Sequence, residues 1–150
     1  MTINLNSFGL STAKGKIFDQ TKGERIECRI DATELSTLVP GDFVTLALTS
    51  TPTIDVTKAL NTSSMLGCVF YDSARKNTYV AGDTLTIASS LTRLKLEAAS
   101  AISRGAKVEY VPTGAKVQTA SAGTVIGFAL TQAKQAGDLI DVVLTAMPTA

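Results

Sequence analysis

The sequence predicts an all-β protein, a short-stranded barrel or sandwich behind an irregular amino-terminal arm, and three observations carry that expectation. The first is a phrase that occurs twice. A strand around a glycine, Met65-Leu66-Gly67-Cys68-Val69-Phe70 or Val125-Ile126-Gly127-Phe128-Ala129-Leu130, is followed by a Gly-Asp turn and an alternating strand, Gly82-Asp83-Thr84-Leu85-Thr86-Ile87 or Gly137-Asp138-Leu139-Ile140-Asp141-Val142. The second is composition: threonine is the commonest residue, Ala, Val, Leu and Ile supply the apolar content, and tryptophan is absent. Such residues suit a pleated, half-buried surface better than a helix. The third is spacing, with many short runs at intervals of about ten residues separated by Gly and Asn/Asp turns.

Taken in order, residues 6 to 24 are rich in Ser, Thr, Gly and Lys, with Phe8, Leu10, Ile17 and Phe18 as isolated apolar points. This stretch belongs to an arm over residues 1–24, which either docks on another surface or folds back on its own core. From Arg25 the pattern turns regular, Ile26, Cys28 and Ile30 alternating with Glu27, Arg29 and Asp31, the period of a strand with one wet face. A short helical turn fits residues 33–38. Pro40-Gly41-Asp42 is a turn, and Val44, Leu46 and Leu48 mark the next strand. The Thr-, Ser- and Pro-rich stretch 49–64 reads as a long surface loop or edge segment. Short strands follow at 66–71, 84–88, 93–97, 107–111, 115–119, 124–130 and 139–145, roughly nine in all with the two before them. The Ala-rich run 98–103 favours at most one helical turn, ended before Gly105. Residues 25–150 then form one β domain containing two related units, about 54–89 and 115–146, the size one core can serve.

Composition excludes several classes of function. The formal charge of +1 is that of neither a nucleic-acid binder nor an acidic solvating tail. The amino terminus lacks a basic region followed by an apolar one, and no apolar run approaches the roughly 20 residues that span a bilayer, so synthesis and first folding in a reducing cytoplasm are expected, with no membrane partner. Cys28 and Cys68 each sit in an apolar-alternating run and read as reduced core residues; a disulfide would need their Cα atoms within about 7 Å.

Catalytic chemistry is hard to build from this chain. With no histidine, a Ser-His-Asp triad, a Cys-His pair and the usual zinc sites are all excluded. Carboxylate pairs remain, such as Asp138 with Asp141 or Asp31 with Glu34, but a glycosidase needs an aromatic-walled cleft and the chain has only Tyr71, Tyr79 and Tyr110 besides phenylalanine. The aspartates of the turns Gly41-Asp42, Gly82-Asp83 and Gly137-Asp138 each stand alone beside a glycine, unlike the clustered ligands of a calcium loop, and read as closing their own turns. Gly105-Ala106-Lys107 and Gly114-Ala115-Lys116 lead into strands rather than helices, so they are no phosphate cradle, and Lys107 and Lys116 read as solvated strand positions. No enzyme, metal, cofactor or small-molecule substrate is expected.

The carboxy-terminal half carries a resemblance. The runs Ala101-Ile102-Ser103-Arg104-Gly105-Ala106-Lys107-Val108-Glu109-Tyr110, Gly123-Thr124-Val125-Ile126-Gly127-Phe128-Ala129-Leu130 and Ala136-Gly137-Asp138-Leu139-Ile140-Asp141-Val142-Val143-Leu144 resemble, in that order and spacing, the capsid cement or head-decoration proteins of tailed bacteriophages. Residues 1 to 60 lie outside that likeness. The resemblance implies a barrel or tulip-like domain, often trimeric, seated outside an assembled head across neighbouring major capsid subunits and stabilising it. It places the protein on the outer capsid surface of the virion, with the major capsid protein as partner and a homotrimer as its form. The arm, through Ile3, Leu5, Phe8 and Leu10, is the candidate capsid contact, and deleting residues 1–20 is expected to leave a folded domain that binds heads less well. A tail, baseplate or fibre component and a carbohydrate-binding β module are the alternatives.

Overall fold

A computed structural model of the chain describes residues 14, 15, 17, 23–48, 51–72 and 77–145, with ten strands and no helix among them. The strands are β1 (Arg25–Ile30), β2 (Phe43–Leu46), β3 (Asp55–Lys58), β4 (Gly67–Val69), β5 (Thr84–Ala88), β6 (Arg93–Glu97), β7 (Lys107–Val111), β8 (Lys116–Thr119), β9 (Val125–Ala129) and β10 (Leu139–Leu144). The first five close into a barrel in the order β1-β3-β2-β4-β5, and the last five form a second sheet in the order β6-β10-β9-β7-β8. The fold is all-β, as the composition and spacing predict.

The two sheets follow one path. In the barrel only β1 and β3 run parallel, with Ile30 opposite Val56. The edges of the second sheet, β6 and β8, meet at a parallel bridge between Ala98 and Val117, where the Ala99 N–H donates to the Val117 carbonyl at 2.7 Å. Counted round from that bridge, the second order is β8-β7-β9-β10-β6, which is the barrel's β3-β2-β4-β5-β1 moved five strands along. The registers agree residue by residue. Leu46 opposes Val56 as Tyr110 opposes Val117, Val44 opposes Gly67 as Val108 opposes Gly127, and Cys68 opposes Ala88 as Phe128 opposes Val143. Cys28 opposes Leu85 as Leu96 opposes Ile140. The correspondence therefore reaches past residues 54–89 and 115–146 to include β1, β2, β6 and β7.

The glycine of the repeated phrase has a steric cause. A Cβ on Gly67 would lie 2.5 Å from the Ala88 carbonyl oxygen, and one on Gly127 would lie 2.2 Å from that of Val143, so equivalent strands approach too closely for a side chain in both units.

Alternation sorts the apolar residues into two clusters. Ile30, Leu38, Val44, Val56, Val69, Leu85 and Ile87 fill the barrel with Cys28 and Tyr79. The larger cluster joins the interior of the second unit, including Leu94, Leu96, Val108, Tyr110, Ile126 and Ile140, to the opposite faces of barrel strands, Phe43, Cys68 and Ala88, with Ala59 and Met65 beside them. Cys28 and Cys68 are free, buried and in different clusters.

Two local expectations are corrected. Residues 55–58 are not loop or edge but a strand hydrogen-bonded on both sides, between β1 and β2. The signal is faint because only Val56 of its four residues belongs to the apolar core, among polar neighbours. Residues 33–38 form no helix: the Asp31 carboxylate accepts the Thr33 N–H at 3.0 Å, a local turn that competes with helix, and Leu38 is held by a bridge to Tyr79. Residues 98–103, expected to hold at most one helical turn, hold none: pairing prevails over propensity, since Ala98 bridges Val117 and Ile102 bridges Ala133.

Candidate docking surfaces

The Gly-Asp turns share one construction. Each glycine has a left-handed backbone, with φ of 101° at Gly41, 88° at Gly82 and 93° at Gly137. The next aspartate's N–H donates to the carbonyl three residues back, and its carboxylate accepts that residue's N–H: Val39 to Asp42 at 2.9 Å, Val80 to Asp83 at 2.8 Å and Gln135 to Asp138 at 3.2 Å. A fourth turn, Ser103-Arg104-Gly105-Ala106, repeats the backbone with alanine at the aspartate's place; the Ala106 N–H donates to Ser103 at 3.1 Å. Each aspartate is used by its own turn.

Part of the segment assigned to the arm lies on the domain. The Gly15 N–H donates to the Lys95 carbonyl at 2.6 Å, the Gly15 carbonyl accepts from Tyr71, and buried Ile17 bridges Leu94 along the edge of β6 that β10 leaves free. Lys14 spans the seam between β6 and β8, donating to Glu97 at 3.5 Å and to the Gly114 carbonyl at 3.1 Å. Ile3, Leu5, Phe8, Leu10 and Phe18 lie outside the described residues.

An ion pair stands at the parallel seam of each unit. In the barrel Arg29 grips Asp55 with two bonds, Nε to Oδ1 at 3.2 Å and a terminal nitrogen to Oδ2 at 2.9 Å. Thr53 and Thr51 also donate to Asp55, at 2.8 Å and 3.1 Å. The Arg29 hydrogen bond, then those from the threonines, holds the Asp55 carboxyl below the usual carboxylate range. At the equivalent positions of the second unit stand Glu97 and Lys116, 3.2 Å apart with the charges exchanged. Lys116 is thus paired across a seam, while Lys107 is exposed.

The units are joined by a buried contact and a shaped loop. Tyr110 donates its hydroxyl hydrogen to Asp42 at 2.6 Å, with its ring 5.2 Å from that of Phe43. Burial and then the Asp42 bond push the Tyr110 pKa far up. Beside them Glu109, also buried, accepts from Gln118 at 2.7 Å, the Ser121 N–H at 3.0 Å and the Gly123 N–H at 2.6 Å. Burial pushes its pKa up, but these bonds together outweigh burial and hold the carboxyl below its ordinary value. The loop so shaped docks on the first unit, the Thr124 N–H donating to the Asn61 carbonyl at 2.7 Å.

Acid–base pairs do not assemble from the candidate carboxylates. Asp141 is held by Arg93 at 3.1 Å and Lys95 at 2.6 Å, Asp138 closes its turn, and Glu34 accepts the Lys58 N–H at 2.6 Å. Among the described residues no group of three or more His, Cys, Asp or Glu is placed to hold a metal ion, and no helix is long and apolar enough to cross a membrane. What the surface offers is apolar. Leu46, Leu48 and Ile54 project around the β2–β3 hairpin, and Phe128 and Leu130 from the second unit. Sequence reasoning missed Leu46 and Phe128 because alternation assigns an apolar strand residue to the core; alignment of the two units by their registers finds these two.

The fold is a duplicated all-β one whose turns hold Asp42, Asp83 and Asp138 and whose seams hold Asp55 and Glu97. The chain belongs to the phage cement protein family, whose model matches residues 30–144. It is a phage structural protein and a component of the virion. Among solved structures it is similar to the head fiber gp8.5 N base of bacteriophage phi29, at 15% identity with a TM-score of 0.53, covering 81% of this chain and 93% of that one; the likeness is one of fold. No curated protein sequence matches.

Proposed function

We propose that this protein binds the outside of an assembled phage head as a homotrimer, across neighbouring major capsid subunits, and stabilises the shell. Membership of the cement protein family is the observation that carries this reading. The anchoring of Gly15 and Ile17 on β6 supports a division of labour in which the domain holds the base of the arm and Ile3, Leu5, Phe8 and Leu10 contact the capsid. Three linked copies would turn each later contact into an intramolecular one, so modest contacts would give full occupancy. Removal of capsid-surface area from water is the driving force such apolar points supply.

Co-sedimentation with undecorated heads tests the proposal. Binding at a fixed ratio in multiples of three supports it, and folded protein that leaves the heads bare overturns it. The truncation that isolates the arm removes residues 1–13 only, because a cut at residue 20 would also take Gly15 and Ile17 from the domain. Undiminished decoration by that variant would remove the arm from the contact.

A further inference from the structure

The two units meet head to tail. At one end of the second unit's interior Tyr110 packs on Phe43, and Ile126 and Leu144 meet Phe43, Met65, Leu66 and Ser89 of the first unit around a void of only about 10 Å³. The register correspondence maps that end onto Leu46, Leu66 and Ser89 of the first unit, of which Leu66 and Ser89 line the junction itself and Leu46 is left exposed. It maps the covered face, Phe43, Met65, Cys68 and Ala88, onto Lys107, Val125, Phe128 and Val143 of the second. Exposure follows use. Tyr110 and Cys68 are both 0% exposed, whereas their counterparts Leu46 and Phe128 are 56% and 39% exposed.

We infer that the two exposed positions pair between copies of this chain: Leu46 of one molecule docks on the Phe128 face of the next. The residues at the two halves of the contact have changed together. Within the chain Tyr110 donates to Asp42. Their counterparts are Leu46 and Ala106, so the hydroxyl and the carboxylate that would receive it are both replaced by apolar groups. A leucine set against a buried aspartate would strand a charge; set against alanine, with Val125, Phe128, Val143 and the stem of Lys107 beside it, it buries hydrocarbon while the exposed Lys107 ammonium stays at the solvated rim. Such a contact is heterologous, each copy giving one face and receiving on the other, and it satisfies every face when the copies close a ring. This deepens the trimeric reading above and rests on it only for the number of copies.

Light scattering on purified protein, without heads, tests the pairing. Wild-type protein is expected to be oligomeric, and L46D and F128D each monomeric with unchanged circular dichroism. Mixed together, the two variants form a one-to-one heterodimer, because L46D keeps its Phe128 face and F128D keeps its Leu46 end. A monomeric wild type, an L46D that keeps the wild-type oligomer, or a mixture that stays monomeric overturns the inference. Should either charged variant unfold, L46C and A106C on separate chains supply the readout: an intermolecular disulfide supports the pairing and its absence under oxidation overturns it. An oligomer of this kind that leaves heads bare would sink the cement reading and spare this one.

Discussion

Tyr110 and Asp42, 68 residues apart in the chain, share a buried hydrogen bond of 2.6 Å that ties the second unit to a turn of the first. The same carboxylate closes the Val39–Asp42 turn through the Val39 N–H and lies 3.6 Å from Lys58. One side chain thus serves a local turn and a tertiary junction.

Tyr110→Phe removes the donor and leaves the ring contact with Phe43 in place. The expected loss is about 1.5–3 kcal/mol, the range for a hydrogen bond to a charged group. Urea unfolding measures it, and a loss near zero would mean that Lys58 and the turn already satisfy Asp42.

The seams make a prediction about charge. Asp55→Lys should destabilise the barrel by placing a like charge beside Arg29, and Arg29→Glu with Asp55→Lys should restore most of the loss by copying the polarity of Glu97 and Lys116. Melting temperatures of the two single variants and the double variant decide it; additive losses would show that the seam needs the bidentate arginine rather than a pair of either sense.

The phrase glycines should be harder to replace than a turn glycine. Gly137 has nothing within 4 Å of a built Cβ, so Gly137→Ala pays only for its left-handed backbone, about 1–2 kcal/mol. Gly127→Ala collides with backbone at 2.2 Å and should cost more than that, as should Gly67→Ala at 2.5 Å. Equal denaturant midpoints for Gly127→Ala and Gly137→Ala would contradict the close-approach account.

Stability should fall on both sides of neutral pH. Burial, helped by Glu27 and Asp55, pushes the Cys28 thiol up to about 12, and burial first also raises Cys68 and Tyr110. Groups with raised values contribute stability in full below their unfolded values, about 8.5 for cysteine and 10 for tyrosine, and lose it as pH rises toward the folded values. Glu109 and Asp55, both lowered, contribute above about pH 4 and lose it as pH falls further. Chemical denaturation from pH 3 to 11 reads this profile, and Cys28→Val should flatten the limb that begins near pH 9.

Much of the fold is legible along the chain because its causes are local. The alternation at Ile26, Cys28 and Ile30 and the spacing of short runs need only the two-residue period of a strand. Strand β3 escaped that reading, since one buried Val56 among Asp, Thr and Lys cannot show a period. Likewise propensity allows Ala98–Ser103 at most one helical turn, and only the bridges to Val117 and Ala133, distant in sequence, decide against it.

The chain by itself determined an all-β protein with a repeated strand-and-turn phrase, no histidine chemistry, and a likeness to the phage cement proteins, because period, turn residues and composition are properties of neighbours in sequence. The tertiary structure decided that the repeat spans all ten strands, that Arg29 and Asp55 answer to Glu97 and Lys116, and that Tyr110 is buried where Leu46 is exposed. Those relations join residues tens of positions apart, and pairing register is the first level at which such residues acquire neighbours.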